Sequence, residues 1–166
     1  MDALTAVLQK LVGLHRQLLE VVRAEREALV QADRKGIEDA FLAKEGLCQE
    51  IQRCESDRVT AVGALALRFN RPASELSLRE IIKELEPTEA QKAEQLRSLF
   101  NALTVLVDRV RVQNASNGDL LARSIEHVKN MKDNILGARE PENQTYTARG
   151  QKSTGTQQAR FLSQEA

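Results

Sequence analysis

The sequence predicts an all-α protein: an elongated antiparallel helical hairpin, a short helix and a third long helix in a coiled-coil-like bundle, followed by a disordered C-terminal tail. Three observations lead there. Leu, Val and Ile recur at three- and four-residue spacing through most of the first 137 residues, the signature of helices with one apolar stripe. Aromatic residues are 3 % of the chain and Trp is missing, so the core must be built from Leu, Val, Ile and Ala, which suits helix-on-helix packing. Proline and capping sequences fall at few places, and those places cut the pattern into long segments. The expected organisation is a helical bundle over residues 1–137 and a flexible polar tail over residues 138–166.

The first helix is expected from about Asp2 to Val30. Leu4, Val7, Leu11, Leu14, Leu18 and Val21 follow a 3-4 repeat, with Leu8, Val22 and Leu29 widening the stripe. Glu25 interrupts it. Gln31-Ala32-Asp33 offers a turn with Asp33 as the next N-cap. The second helix carries Ile37, Ala40, Phe41, Leu47, Ile51, Cys54, Val62 and Leu65 on its apolar face. Lys44 and Arg58 stand at seam positions, where long stems can pack while their charged heads reach water. A short polar turn between two amphipathic helices favours an antiparallel hairpin.

That second helix must end around Phe69-Asn70-Arg71-Pro72, because the residue before proline avoids the helical region. Ser77-Leu78-Arg79-Glu80 reads as a capping box, with Leu76 and Ile81 placed as a hydrophobic staple. It opens a short helix that stops before Pro87. Thr88-Glu89-Ala90-Gln91 reads as a second capping box and starts the third long helix, which is expected to end near Leu136 with Gly137 beyond it. About 48 residues of helix would span ~70 Å. So short a chain cannot cover so long a stripe by itself, and part of the stripe is expected to meet another protein.

Lys and Arg together number 24, as do Asp and Glu. That balance lacks the electrostatic footprint of a nucleic-acid or membrane-surface binder. The opening residues have no basic leader before a continuous apolar run, so no signal peptide is expected, and no stretch approaches the ~20 apolar residues of a membrane span. The expected location is the cytoplasm, with no membrane insertion. Cys48 and Cys54, six residues apart on one helix, are too distant for a mutual disulfide and read as small apolar residues.

The residues offer little chemistry. His15 and His127 are the two histidines, and neither has the Glu three positions before it that a di-iron bundle uses. HExxH, EF-hand and glycine-rich phosphate motifs are missing. No cofactor, no metal and no catalytic residue is expected. Paired carboxylates such as Glu25 and Glu27 read as helix-surface charges. A phosphoryl-accepting His15 is the alternative with chemistry in it, but no phosphotransfer motif surrounds it.

The polar break Gln113-Asn114 with Asn117 admits two readings. Buried amides can fix the register of a coiled coil; alternatively they mark where internal packing gives way to a partner. Beyond it lie Leu120, Leu121, Ile125, Val128, Met131 and Ile135. In the tail, Tyr146 is the single tyrosine, placed where no core can bury it; it is either incidental or a contact residue, and the enrichment of aromatics at interface hot spots favours contact.

The chain resembles the FlgN family of flagellar type III export chaperones over nearly its whole length. The likeness rests on the Leu-rich opening helix ending in Ala32-Asp33, then on Phe41-Leu42-Ala43-Lys44 leading to Ile51 and Glu55-Ser56-Asp57-Arg58. It continues through Asn114-Ala115-Ser116-Asn117-Gly118-Asp119-Leu120-Leu121, Tyr146-Thr147-Ala148-Arg149-Gly150 and the closing Phe161-Leu162-Ser163-Gln164-Glu165-Ala166. The tail departs from the family pattern in delaying its glycine to Gly150. The resemblance implies a cytosolic, non-enzymatic chaperone that binds the C-terminal helical segments of the hook–filament junction (hook-associated) proteins. It would prevent their premature assembly and deliver them to the export gate. A client helix would lie along the third long helix, against Leu120, Leu121, Ile125, Val128, Met131 and Ile135, with Asn114 and Asn117 fixing register. Burial of six such side chains, less ordering costs, implies micromolar to submicromolar affinity. The resemblance further assigns docking at the export gate to Tyr146. The chain itself is expected to be a monomer or weak homodimer. The competing expectation is a structural homo-oligomeric coiled-coil scaffold or adaptor, in which the same stripe is covered by self-association.

Overall fold

A computed structural model describes residues 2–137. The tail expected over residues 138–166, with Tyr146, lies outside the described residues. The described residues form four α-helices, α1 (Asp2–Gln31), α2 (Arg34–Phe69), α3 (Leu78–Leu85) and α4 (Ala90–Gly137), with one 3₁₀ turn at Ala73–Glu75. Among the described residues there is no strand. The chain divides into two compact units, Met1–Ser124 and Ile125–Ala166; the second is described to Gly137 and is helical throughout that stretch.

Within the unit Met1–Ser124, α1 and α2 form the antiparallel hairpin. Cys54 donates to the Val7 carbonyl (3.6 Å) towards one end, and Lys44 meets Glu25 (2.7 Å) towards the other. The turn between them is two residues long. Ala32 takes a left-handed φ of 54°. This lets its N–H reach the Leu29 carbonyl at 3.3 Å and that of Asp33 reach the Ala28 carbonyl at 2.9 Å, the Schellman closure of a helix. Alanine is an unusual residue for that conformation, because its Cβ crowds the carbonyl. Asp33 precedes α2 with an extended backbone, but its side chain makes no cap bond. Asn70 closes α2 in the same left-handed way, with φ 51°, a conformation Asn tolerates.

α4 runs back in the direction of α1. Ala93 and Leu96 pack into the core with Leu4, Leu8 and Leu11, and Asn117 bonds to the Val22 carbonyl. α3 closes one end of the bundle, burying Ile81, Ile82 and Leu85 beside Leu65 and Leu76. Half of its capping box forms at Ser77: the hydroxyl accepts from the Glu80 N–H, while the Glu80 carboxylate accepts from that same hydroxyl and not from the Ser77 backbone N–H. Leu76 and Ile81 are both buried as the staple requires.

Three expectations of detail are corrected. α4 begins at Ala90, so the box expected at Thr88 is displaced by one residue. Glu89 precedes the helix, its carbonyl accepting from Lys92 and Ala93 and its carboxylate pairing with Lys92 and Arg68. Negative charge at a helix N-terminus is favourable in its own right. Phe41, expected on the apolar face, is 60 % exposed; Ala40 is the buried residue there. On α1, Val12, Leu19 and Ala28 are buried in addition to the expected stripe, because α1 packs against α2 on one flank and α4 on the other.

Candidate functional site

The residues singled out on α4 separate into a polar group and an apolar group. Asn117 is 3 % exposed. Its amide nitrogen donates to the Val22 carbonyl (2.8 Å) and to Glu25 Oε2 (2.9 Å), and its Oδ1 accepts from Gln113 (3.3 Å). Each polar atom of that side chain is therefore engaged within the bundle, as burial of an amide demands. Asn114 is exposed and its Oδ1 accepts from Lys44 Nζ at 3.2 Å.

Glu25 and Lys44 complete this cluster and correct the sequence reading of both. Glu25 is no ordinary surface charge, and the Lys44 head does not simply reach water. They form an ion pair at 2.7 Å with side-chain exposures of 13 % and 22 %. Beside them Arg26 donates to Ser116 at 2.9 Å. The cluster therefore ties α1, α2 and α4 together at one level. One signal could have found it: Glu25 interrupts the α1 stripe and Lys44 stands at the α2 seam. The two face each other across the hairpin with opposite charge.

The apolar group is placed differently. Leu120 is half-buried. Leu121, Ile125, Val128, Met131 and Ile135 are all exposed, between 45 % and 63 %. Leu136, which the sequence reading did not include, is exposed as well. α4 passes through Gly118 without a break. Within the second unit Ile125, Val128, Met131 and Ile135 stand three or four residues apart, so these four share one face of their helical stretch. Arg123, Glu126, Lys129, Lys132 and Asp133 are interspersed, giving mixed charge around the row.

Other chemistry-bearing groups are committed elsewhere. His15 Nδ1 lies 2.8 Å from the Leu11 carbonyl of its own helix. Cys54 is fully buried and Cys48 exposed, and burial pushes the Cys54 thiol above its ordinary range. The described residues contain no group of three or more His, Cys, Asp or Glu that could hold a metal, and no helix long and apolar enough to cross a membrane.

A bundle with a buried polar tie and an exposed apolar row is a protein whose distinguishing features lie in helix-to-helix contact. The family profile described as FlgN protein matches residues 1–154. The chain belongs to the FlgN family, chaperones of flagellar assembly. No curated protein and no solved structure matches it to the same standard.

Proposed function

We propose that this chain is a cytoplasmic export chaperone that binds the C-terminal helical segments of the hook–filament junction proteins, keeps them from assembling early and delivers them to the export gate. The observation that supports this most is the exposed row Leu121, Ile125, Val128, Met131 and Ile135. An apolar row at helical spacing, rimmed by charges, is what an amphipathic client helix needs. Leu120 lies at its edge. Asn114, at the surface, is the register contact of this reading. Asn117 is already bonded inside the bundle and acts by positioning α4. Tyr146 is proposed as the gate-docking residue, so Tyr146→Ala leaves client binding intact and weakens gate binding. Equal loss of both would remove that division of labour.

Calorimetric titration with the C-terminal helical segment of a junction protein from the same organism tests the proposal. Saturable binding, lost in Leu121→Asp or Val128→Asp with the helix content kept, is the expected result. No binding to any such segment refutes it.

One observation favours a second reading. Val105 and Val112, both exposed on α4, are one heptad apart, as in a self-pairing seam. A homo-oligomeric scaffold stays associated on dilution to nanomolar concentration in sedimentation experiments. The chaperone reading expects monomer or weak dimer there.

A further inference from the structure

α4 is held to the hairpin in two different ways. At one end Ala93 and Leu96 are fully buried in the apolar core, and Leu99 and Leu103 pack against it. Further along, Leu106, Val110 and Gln113 are half-buried, while Val105, Val107 and Val112 are exposed. Of the described residues after Leu96, Asn117 alone is buried. Its partners are polar: the Val22 carbonyl, and the Glu25 carboxylate that also holds Lys44. The apolar residues of α1 at this level, Leu19 and Val22, are buried but stand outside the main core cluster.

We propose that Glu25, Lys44 and Asn117 form a latch holding residues 104–124 of α4 on the hairpin, and that this stretch opens and closes as a unit while the core around Leu8 and Leu96 stays packed. Stretches with few buried apolar contacts open at lower free energy than the global transition. Hydrogen bonds exchanged for bonds to water contribute modestly to net stability, so the closed state is easily left. The bonds are also directional and partly charge-assisted, so they set one register for closure. When the stretch opens, Leu19 and Val22 of α1 are uncovered, and the hairpin gains an apolar strip that it lacks when closed. The inference stands on the bundle alone and does not depend on what the exposed row of α4 binds.

Native-state hydrogen exchange on the full-length chain tests it. In the unsubstituted protein, amides over 104–117 exchange at least about tenfold faster than those around Leu8 and Leu96, through a shared opening whose dependence on denaturant is measurable but shallower than that of global unfolding, because it exposes less surface. Asn117→Ala accelerates the whole of 104–117 by a further factor of about ten and leaves the amides around Leu8 unchanged. Lys44→Met, which strands the Glu25 charge, accelerates the same stretch. Uniform exchange in the unsubstituted protein overturns the latch. So does acceleration confined to the turn around residue 117, or spread equally to the Leu8 region.

Discussion

Two aspartates placed on the same helix should have opposite consequences. Leu96 is fully buried, whereas Val128 is 63 % exposed. Val and Asp have similar helix propensities, so Val128→Asp changes folding stability by no more than ~0.5 kcal/mol. Its effect falls on binding. About two thirds of the side chain is available to a client, a contribution of roughly 1–2 kcal/mol when covered. Desolvating the new carboxylate adds at least ~2 kcal/mol. The sum, roughly 3–4 kcal/mol, corresponds to an affinity loss of ~100- to 1,000-fold. Leu96→Asp forfeits ~1.5–3 kcal/mol of burial and places a carboxylate inside the apolar core cluster. That exceeds ~5 kcal/mol in total, the lower bound of ordinary domain stability. Urea unfolding followed by circular dichroism, paired with calorimetric titration of a junction-protein segment, separates the two effects. If Val128→Asp lowers stability by more than ~2 kcal/mol, Val128 is packed in the folded chain and the exposed row is no binding face. If it binds within threefold of the parent, the row is exposed but is not where the client lies.

Other expected outcomes concern the bundle. Ala32→Gly relieves the left-handed alanine and raises stability by up to ~1 kcal/mol after the greater chain entropy of glycine is subtracted; Tm reports it. Gly118→Ala meets nothing within 4 Å and stabilises by ~1 kcal/mol. At Gly36, by contrast, a Cβ would stand 2.9 Å from the Ala28 Cβ, so Gly36→Ala is destabilising by ~1–3 kcal/mol in the same melts. Glu80 and Glu89 are held below the ordinary carboxylate range, Glu80 chiefly by its bond with Ser77 and Glu89 chiefly by Lys92. A folded-state pKa that is depressed gives stability present above the unfolded value, near 4.3 for Glu, and lost as pH falls through the folded one. Ser77→Ala should therefore flatten the loss of stability in that acidic window and move the Glu80 carboxyl resonance titration upward. Alkylation should label exposed Cys48 quickly, and buried Cys54 only on unfolding; labelling of both at equal rates would contradict the packing of Cys54 against Val7.

Local rules carried the sequence reading as far as single elements. Asn70 before the proline break, the Ser77 cap and the Ala32-Asp33 turn are all written within a few residues, and the structure places them there, although the Asp33 side chain makes no cap bond. The start of α4 was misread by one residue because Thr88 and Glu89 are both acceptable before a helix; the ion pair of Glu89 with Arg68, 21 positions away, decides between them. Phe41 looked apolar enough for the core, but its neighbour Ala40 takes the buried position because close approach of two helices favours a small side chain. The polar cluster was the least legible feature. Asn117 stands 92 residues from Glu25, and no local pattern announces a pairing that only the third helix brings about. The apolar row was read directly, since a residue left exposed obeys the same helical spacing as one that is covered.

The two-residue turn at Ala32 also sets an order of events. Contacts between α1 and α2 begin at short separation, whereas those between α1 and α4 join residues 90 to 95 positions apart. Closing the shorter loop first loses less chain entropy, and local contacts form faster. The hairpin is therefore expected to be complete before α4 arrives, with φ-values higher at Leu11 than at Leu96 as the kinetic sign of it. During synthesis, the residues of α4 that complete the bundle follow the hairpin out of the ribosome after a delay of several seconds. For that interval the nascent hairpin shows the flank of α1 that α4 will occupy, and any amphipathic helix made nearby can sit there first.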